Sequence, residues 1–398
     1  MRASFDINLI VAALKKVIPG DRIPVALHEP CFGGNEWRYL KDCLGSTYVS
    51  YVGAYVTRFE QMLADFTSVK KAVAVVNGTA ALHIALKLCG VEPGDEVLVP
   101  ALTFVATANA VTYCGAVPHF VDSEERTLGL DPEKMKDYLR DIAVINAFGS
   151  INRLTGRRIK AVIPMHAFGH PVDIDPLLDI CREYNIEMIE DAAESLGSYY
   201  KGRHTGNWGK LSILSFNGNK TITTGGGGAI LTNDERLGGL AKHLTSTAKI
   251  PHAWEYRHDQ IGYNYRLPNV NAALGCAQME QLPKFIARKR RLASLYQLAF
   301  QGMEGVTVFA EQPFAKSNYW LNALLIAESI SDMRDDILAI TNKNGIMTRP
   351  AWTLMNELAI FKDCPAMDLG VAKSISRRLV NIPSSAVLGE EEGEDDAA

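Results

Sequence analysis

Between residues 71 and 232 short apolar runs alternate with stretches of helical periodicity. The runs lie at 72–76, 97–99, 117–121, 161–165, 186–189, 211–216 and 228–231. Helical spacing of apolar residues fills 80–89, 104–114, 132–139, 174–184 and 233–245. A strand buried on both faces reads as a continuous apolar run, and parallel strands need a crossover, usually a helix. The alternation therefore predicts an α/β fold with a mostly parallel mixed sheet flanked by helices.

A chain of 398 residues is long enough for that domain and a smaller one. With 47% hydrophobic and 22% charged residues it is neither a disordered chain, a fibre nor a disulfide scaffold. A net charge of −4 gives no reason to expect nucleic-acid or membrane-surface binding. The seven cysteines include no C-x-x-C pair and read as reduced core residues, with no metal-site spacing. Neither a signal segment nor a run long enough to span a bilayer is visible, so a cytoplasmic location is expected.

Residues 1–50 read as an N-terminal segment with a short amphipathic helix, a Pro19-Gly20 loop and a second helix at 36–44. The large domain is expected at 51–284, ending in a helix over 269–281. Another helix, 282–300, opens a smaller α/β domain at 285–385, with strands near 306–309 and 321–326 and a helix at 331–343. Residues 386–398 are expected to be a solvated, disordered tail; its six acids outweigh the net charge of the whole chain. The basic run 288–291 reads as a solvated helix face.

Four features of the large domain can carry chemistry. Asn77-Gly78-Thr79 sits where a strand meets a helix. Free N–H groups and the helix dipole make that junction an anion site, although a plain helix start capped by Thr79 reads as well. Thr103-Phe104 opens the next helix. Asp191 ends an apolar strand, where a carboxylate is costly unless paired. It suits either an N-cap or a counter-ion for a buried cation. Lys220 follows a strand of apolar and small residues with no acid close in sequence. Held in a poorly solvated pocket, such a lysine becomes a nucleophile able to form a Schiff base. The glycines 225–228 suit a tight turn, or a backbone that passes close to a ligand. A phosphate cup, an aromatic, a strand-end acid and a loop lysine are together what pyridoxal phosphate requires.

These motifs, in this order, with Gly262-Tyr263-Asn264-Tyr265-Arg266 after them, resemble the DegT/StrS sugar aminotransferases of the aspartate-aminotransferase superfamily. The resemblance runs from about residue 28 to 385. It implies the PLP-dependent transferase fold of type I, with the cofactor domain at 51–284. It also implies a covalent bond between Lys220 and pyridoxal 5'-phosphate, with Lys220 afterwards shuttling a proton. Asp191 would keep the pyridine nitrogen protonated, Gly78, Thr79 and Ser215 would bind phosphate, and Phe104 would stack on the ring. Glu194 stands where many members have Gln against the ring hydroxyl, so a carboxylate there would be protonated or differently placed. Asn264 matches a residue that reaches the phosphate of a neighbouring subunit, which implies a homodimer with shared active sites.

Gly226 replaces a Glu common in the family. With His28-Glu29-Pro30 and Arg349-Pro350-Ala351-Trp352, this resembles the LegC-type subgroup, which aminates C4 of nucleotide-linked 4-keto-6-deoxy sugars. The implied partners are glutamate as amino donor and a sugar nucleotide, first of all a UDP-linked 2-acetamido-4-keto-2,6-dideoxyhexose on a route to surface glycans or nonulosonic acids. GDP- or dTDP-linked keto sugars, C3 amination and a PLP-dependent dehydratase stay open as alternatives. Three further residues are candidates for substrate contact. His166 is similar to a family position near the cofactor and equally suits a structural histidine. Arg349 suits a carboxylate or phosphate as well as a surface role, and His28 suits the sugar pocket or a plain loop.

Overall fold

The structure, a computed structural model, describes residues 5–391. The chain opens with α1 (Asn8–Val17), α2 (Glu36–Ser46) and α3 (Ala54–Thr67). Then β1 (Lys71–Val75), α4 (Gly78–Leu88), β2 (Glu96–Pro100), α5 (Val105–Tyr113), β3 (Val117–Val121) and α6 (Pro132–Ile142) alternate. A hairpin of β4 (Ala143–Asn146) and β5 (Gly149–Asn152) leads into β6 (Arg158–Val162), α7 (Ile174–Glu183) and β7 (Glu187–Asp191). Two short ladder strands, β8 (Tyr199–Tyr200) and β9 (Arg203–His204), precede β10 (Leu211–Ser215), β11 (Gly228–Thr232) and α8 (Glu235–Thr245). After a small hairpin of β12 (Lys249–Ile250) and β13 (Arg257–His258) comes the 31-residue helix α9 (Asn269–Ala299). The chain closes with β14 (Val306–Val308), β15 (Ala315–Lys316), β16 (Asn322–Ile326), α10 (Arg334–Lys343), β17 (Arg349–Pro350), α11 (Gly370–Arg378) and β18 (Leu379–Ile382).

The main sheet has the order β1-β11-β10-β7-β6-β2-β3, with β5 added on β6. β10, β7, β6, β2 and β3 run parallel, and β11 opposes both of its neighbours. This is the mixed, mostly parallel sheet predicted from the apolar runs. The C-terminal ends of its parallel strands therefore open on one edge, where open α/β sheets bind ligands. The smaller sheet, β14-β16-β18-β17, is antiparallel. Helix α1 packs against that smaller sheet and α9 through Ile10, Ala13 and Leu14, alongside Leu292, Tyr296 and Leu324.

Four expectations change. The two helices read around residue 282 are one. Pro283 removes a single N–H from α9, and packing on both halves outweighs the loss. Ala272, Ala273 and Cys276 pack in one core, Leu292 and Tyr296 in another, and the helix crosses residue 284 unbroken. β6 begins three residues earlier than its apolar run, because Arg158 is held by Asp95 at 2.7 Å. The basic run 288–291 is no solvated face. Arg288 and Lys289 are buried, and Arg290 pairs with Glu311 at 2.7 Å. Residues 386–391 are no disordered tail either. Ala386–Gly389 form a 3-10 turn with Ala386 and Leu388 buried, and Glu390 pairs with Arg288 at 2.6 Å. The remaining tail acids lie outside the described residues.

One buried carboxylate organises the loop beneath the site edge. Glu190 accepts hydrogen bonds from the N–H groups of Gly206, Trp208 and Gly209, from Ser212 Oγ, and from His166 Nε2. Burial pushes its pKa up, but these donors prevail and hold it at about 2, against 4.5 for a free glutamate. A depressed carboxylate adds stability above its unfolded pKa and loses it as pH falls towards the folded value. Stability should therefore drop between about pH 4.5 and pH 2, as read by urea unfolding across pH. Glu190→Gln should flatten that acid limb and cost roughly 3 kcal/mol at neutral pH, since it strands buried donors.

Candidate active site

Strand ends and helix starts converge on a cavity of about 320 Å³ lined by Asn77, Gly78, Thr79, Phe104, Asp191, Glu194, Ser215 and Lys220. Residues from β1–α4, β7, β10 and the loops after β2 and β10 thus meet at one place.

The junction 77–79 is built as an anion cup. Asn77, not Thr79, is the N-cap, its Oδ1 accepting from Ala80 N at 2.8 Å. Gly78 and Thr79 then form the first helical positions, whose N–H groups have no acceptor within the helix. A Cβ on Gly78 would lie 3.1 Å from Ser215 Cβ. A Cβ on Gly228 would lie 2.6–2.7 Å from the backbone of Asn77 and Gly78. Gly228 is thus needed for close approach to the protein's own backbone at the cup, whereas a Cβ on Gly227 would meet the side chain of Thr224. Gly226 differs, with only Val76 O within 4 Å, at 3.9 Å.

Asp191 is buried at the end of β7, where its carboxylate accepts from Thr107 Oγ1 at 2.7 Å and from Ala193 N at 3.2 Å. Burial raises its pKa, and Thr107, Ala193 and the charge of Lys220 pull the other way. Glu194 Oε2 accepts from Phe168 N at 2.9 Å, and its Oε1 faces Lys220 Nζ at 3.0 Å. Burial pushes the Glu194 pKa up to about 7 against the pull of Lys220. Lys220, without an acid nearby in sequence, therefore has one in space. Its Nζ also lies 3.9 Å from the centroid of the Trp320 ring. Phe104, half-exposed, is the last residue before α5 and stands at the cavity wall.

The remaining candidates lie elsewhere. His166 is buried between Glu190 and Val172 N, which bonds its Nδ1 at 3.2 Å, and it does not line the cavity. Arg349 is exposed on β17 and bonds Asn342 and the Thr348 carbonyl. His28 bonds Lys289 rather than lining the cavity. Asn264 is exposed and outside this chain's cavity. Sequence reasoning missed Thr107, Trp320 and Trp352. Thr107 had a signal, one helical turn after Thr103 and facing the same way, since the two hydroxyls lie 3.0 Å apart. Trp352 stood in the Arg349-Pro350-Ala351-Trp352 motif, though nothing local marked it as reaching the cavity, and Trp320, just before β16, had no signal.

A family profile described as the DegT/DnrJ/EryC1/StrS aminotransferase family matches residues 30–395. The chain belongs to that family. It is an enzyme of the pyridoxal-phosphate-dependent sugar-nucleotide aminotransferase class. It is 37% identical to a GDP-perosamine synthase of Caulobacter vibrioides over 93% of its own length and 95% of the relative's. It is 36% identical to a UDP-2-acetamido-2-deoxy-3-oxo-D-glucuronate aminotransferase of Pseudomonas aeruginosa over 65% of this chain and 67% of that one. Among solved structures, the aminotransferase TlmJ of Streptoalloteichus hindustanus superposes with a TM-score of 0.81 at 25% identity, covering 90% of this chain and 92% of that one. Helicobacter pylori PseC shares the fold, with a TM-score of 0.82 at 24% identity over 91% and 94% of the two chains. Among the described residues no helix is long and apolar enough to cross a membrane, and no cluster could hold a metal ion.

The cavity residues fit pyridoxal phosphate: a glycine-lined cup at a helix start, a buried acid and a lysine line one space. Gly228→Ala should push β11 away from the cup. The expected result is a loss of about 1–3 kcal/mol in urea unfolding and weaker cofactor loading by visible absorbance.

Proposed function

We propose that this enzyme moves an amino group from glutamate to C4 of a nucleotide-linked 4-keto-6-deoxy sugar, with pyridoxal phosphate bonded to Lys220. The observation that carries the reading is the cavity itself, where Lys220, Asp191 and the 77–79 cup face one another. Bound there, the cofactor supplies an electron sink that carries nitrogen from a donor to a ketone. Gly78, Thr79 and Ser215 hold the phosphate, and Phe104 packs against the ring. Asp191 stays anionic to hold a proton on the ring nitrogen, and Thr107 orients its carboxylate. Lys220 Nζ gives and takes the proton at the reacting carbon. Glu194, with a pKa near neutrality, donates to or accepts from the ring oxygen according to its protonation. The 4-keto-6-deoxy sugar and the glutamate donor rest on the subgroup resemblance.

Two nucleotides compete. The LegC-type motifs favour UDP and a 2-acetamido sugar. Three GDP-perosamine synthases at 34–37% identity over at least 90% of the chain favour GDP. A panel of UDP-, GDP- and dTDP-linked 4-keto sugars with glutamate, read by product mass, separates them. One 2-oxoglutarate per aminated sugar is expected; product without 2-oxoglutarate would make the enzyme a dehydratase instead. Lys220→Ala should remove the cofactor's visible band and lower turnover by at least roughly 10²–10⁴-fold.

The proposed assembly is a homodimer with shared sites. Asn264 is exposed and does not line its own chain's cavity, and Trp37, Tyr48, Tyr51 and Val52 form an exposed apolar stretch from α2 to α3. Each site would then take Lys220 from one chain and Asn264 from the other. Mixing and re-associating Lys220→Ala with Asn264→Ala protein should recover activity above either alone, because one site of the mixed dimer is intact.

A further inference from the structure

Lys289 sits in α9 within the basic run and is completely buried. Its Nζ donates to Ser384 O at 2.5 Å and to Trp320 O at 3.1 Å, and lies 2.9 Å from His28 Nε2. An ammonium has three N–H groups, and here each has one acceptor. No carboxylate bonds it among the described residues. A buried cation without a counter-ion is costly, and burial lowers the Lys289 pKa to about 7. One atom thus fixes three segments far apart in the chain.

Of those three, Trp320 is the one that lines the catalytic cavity. Its main chain is gripped on both sides, with its N–H donating to Asn318 Oδ1 at 2.8 Å and its carbonyl bonded to Lys289. Its Nε1 donates to Asn219 O at 2.7 Å, beside Lys220, and its ring covers Lys220 Nζ at 3.9 Å. His28 is the neutral member of the set. Burial first, then the charges of Lys289 and Lys220, hold its pKa well below the usual range. Its Nε2 accepts from Lys289, which leaves the proton on Nδ1, a buried atom with no partner among the described residues.

We propose that Lys289 is a positioning residue for the reaction: it holds the Trp320 ring over the Lys220 nitrogen and tunes that nitrogen through the ring, without touching substrate or cofactor. The proposal rests on the Lys220 reading above. A π face over a cation favours the charged form, so a Trp320 ring that drifts withdraws that stabilisation from a cation at this nitrogen. The charged groups that share this corner are Asp191 at the end of β7, Glu194 on the loop after it, Lys220 after β10, and Lys289 on α9, with His28 neutral on the N-terminal segment.

The test is a pH titration of the visible absorbance of cofactor-loaded enzyme, with no sugar present, for wild type, Lys289→Met, Lys289→Gln, Trp320→Leu and the Lys289→Met/Trp320→Leu double variant. Lys289→Met and Trp320→Leu should each lower the titration midpoint by about 0.5–1 pH unit. The double variant should move no further than the larger single, since both act through one ring. Lys289→Gln keeps two N–H donors and should shift it by less than half as much. A folded, loaded Lys289→Met protein with a wild-type midpoint would overturn the proposal, even if its unfolding temperature falls. A double variant equal to the sum of the singles would do the same. Should Lys289→Met not fold, Lys289→Gln decides: a small downward shift supports the proposal, and none overturns it. A wild type that shows no visible band when loaded would defeat the Lys220 reading itself, a result distinct from the others.

Discussion

Three carboxylates are buried within five residues, at positions 190, 191 and 194. Burying a carboxylate is expensive unless donors meet it, and each of the three is met differently. Glu190 takes five donors and stays ionised, so it serves as scaffold. Asp191 takes two, and burial raises its pKa, which leaves a charge that a cation at the cavity would satisfy. Glu194 meets a backbone N–H and Lys220 and titrates near neutrality. Strand β7, in the middle of the main sheet, and the loop after it deliver all three. The difference among them is set by how many donors the neighbouring loops contribute.

Segments beside the smaller sheet complete the site from outside the main one. Trp320 and Trp352 come from these segments, and Trp352 stacks on Phe168 with ring centroids 4.6 Å apart. Phe168 in turn donates its N–H to Glu194. Asn318 bonds the carbonyls of Glu194 and Leu196 and the N–H of Trp320. The walls on the two sides of Lys220 are therefore tied together by side chains bonded to backbone, a rigid arrangement for a cavity that must hold reacting atoms in register.

The strands and most helices were legible because buried parallel strands leave unbroken apolar runs, and helix starts carry their own caps. The cup at 77–79, the acid at 191 and the lysine at 220 were legible because each lies at a strand end, where local sequence and position in the sheet coincide. Arg288 to Arg291 misled because a charged run on a helix is usually solvated, and here residues remote in sequence cover it: His28, Glu311, Trp320 and the 384–390 segment. The same holds for Glu390, whose partners Arg288 and Arg22 are remote in sequence. His166 looked like a site residue because it follows a strand end, yet its ring turns to Glu190 beneath the cavity.

By itself the sequence determined the layered α/β architecture, the order of the site motifs and the family. These depend on periodicity and on short segments whose chemistry is carried within a few residues. Tertiary structure alone decided that Lys220 faces Glu194 and Trp320, that Gly228 serves the backbone at the cup, and that Lys289 is buried behind the site. Each of those contacts joins residues tens to hundreds of positions apart. Their energies come from burial and pairing in space, and neither is written in local sequence.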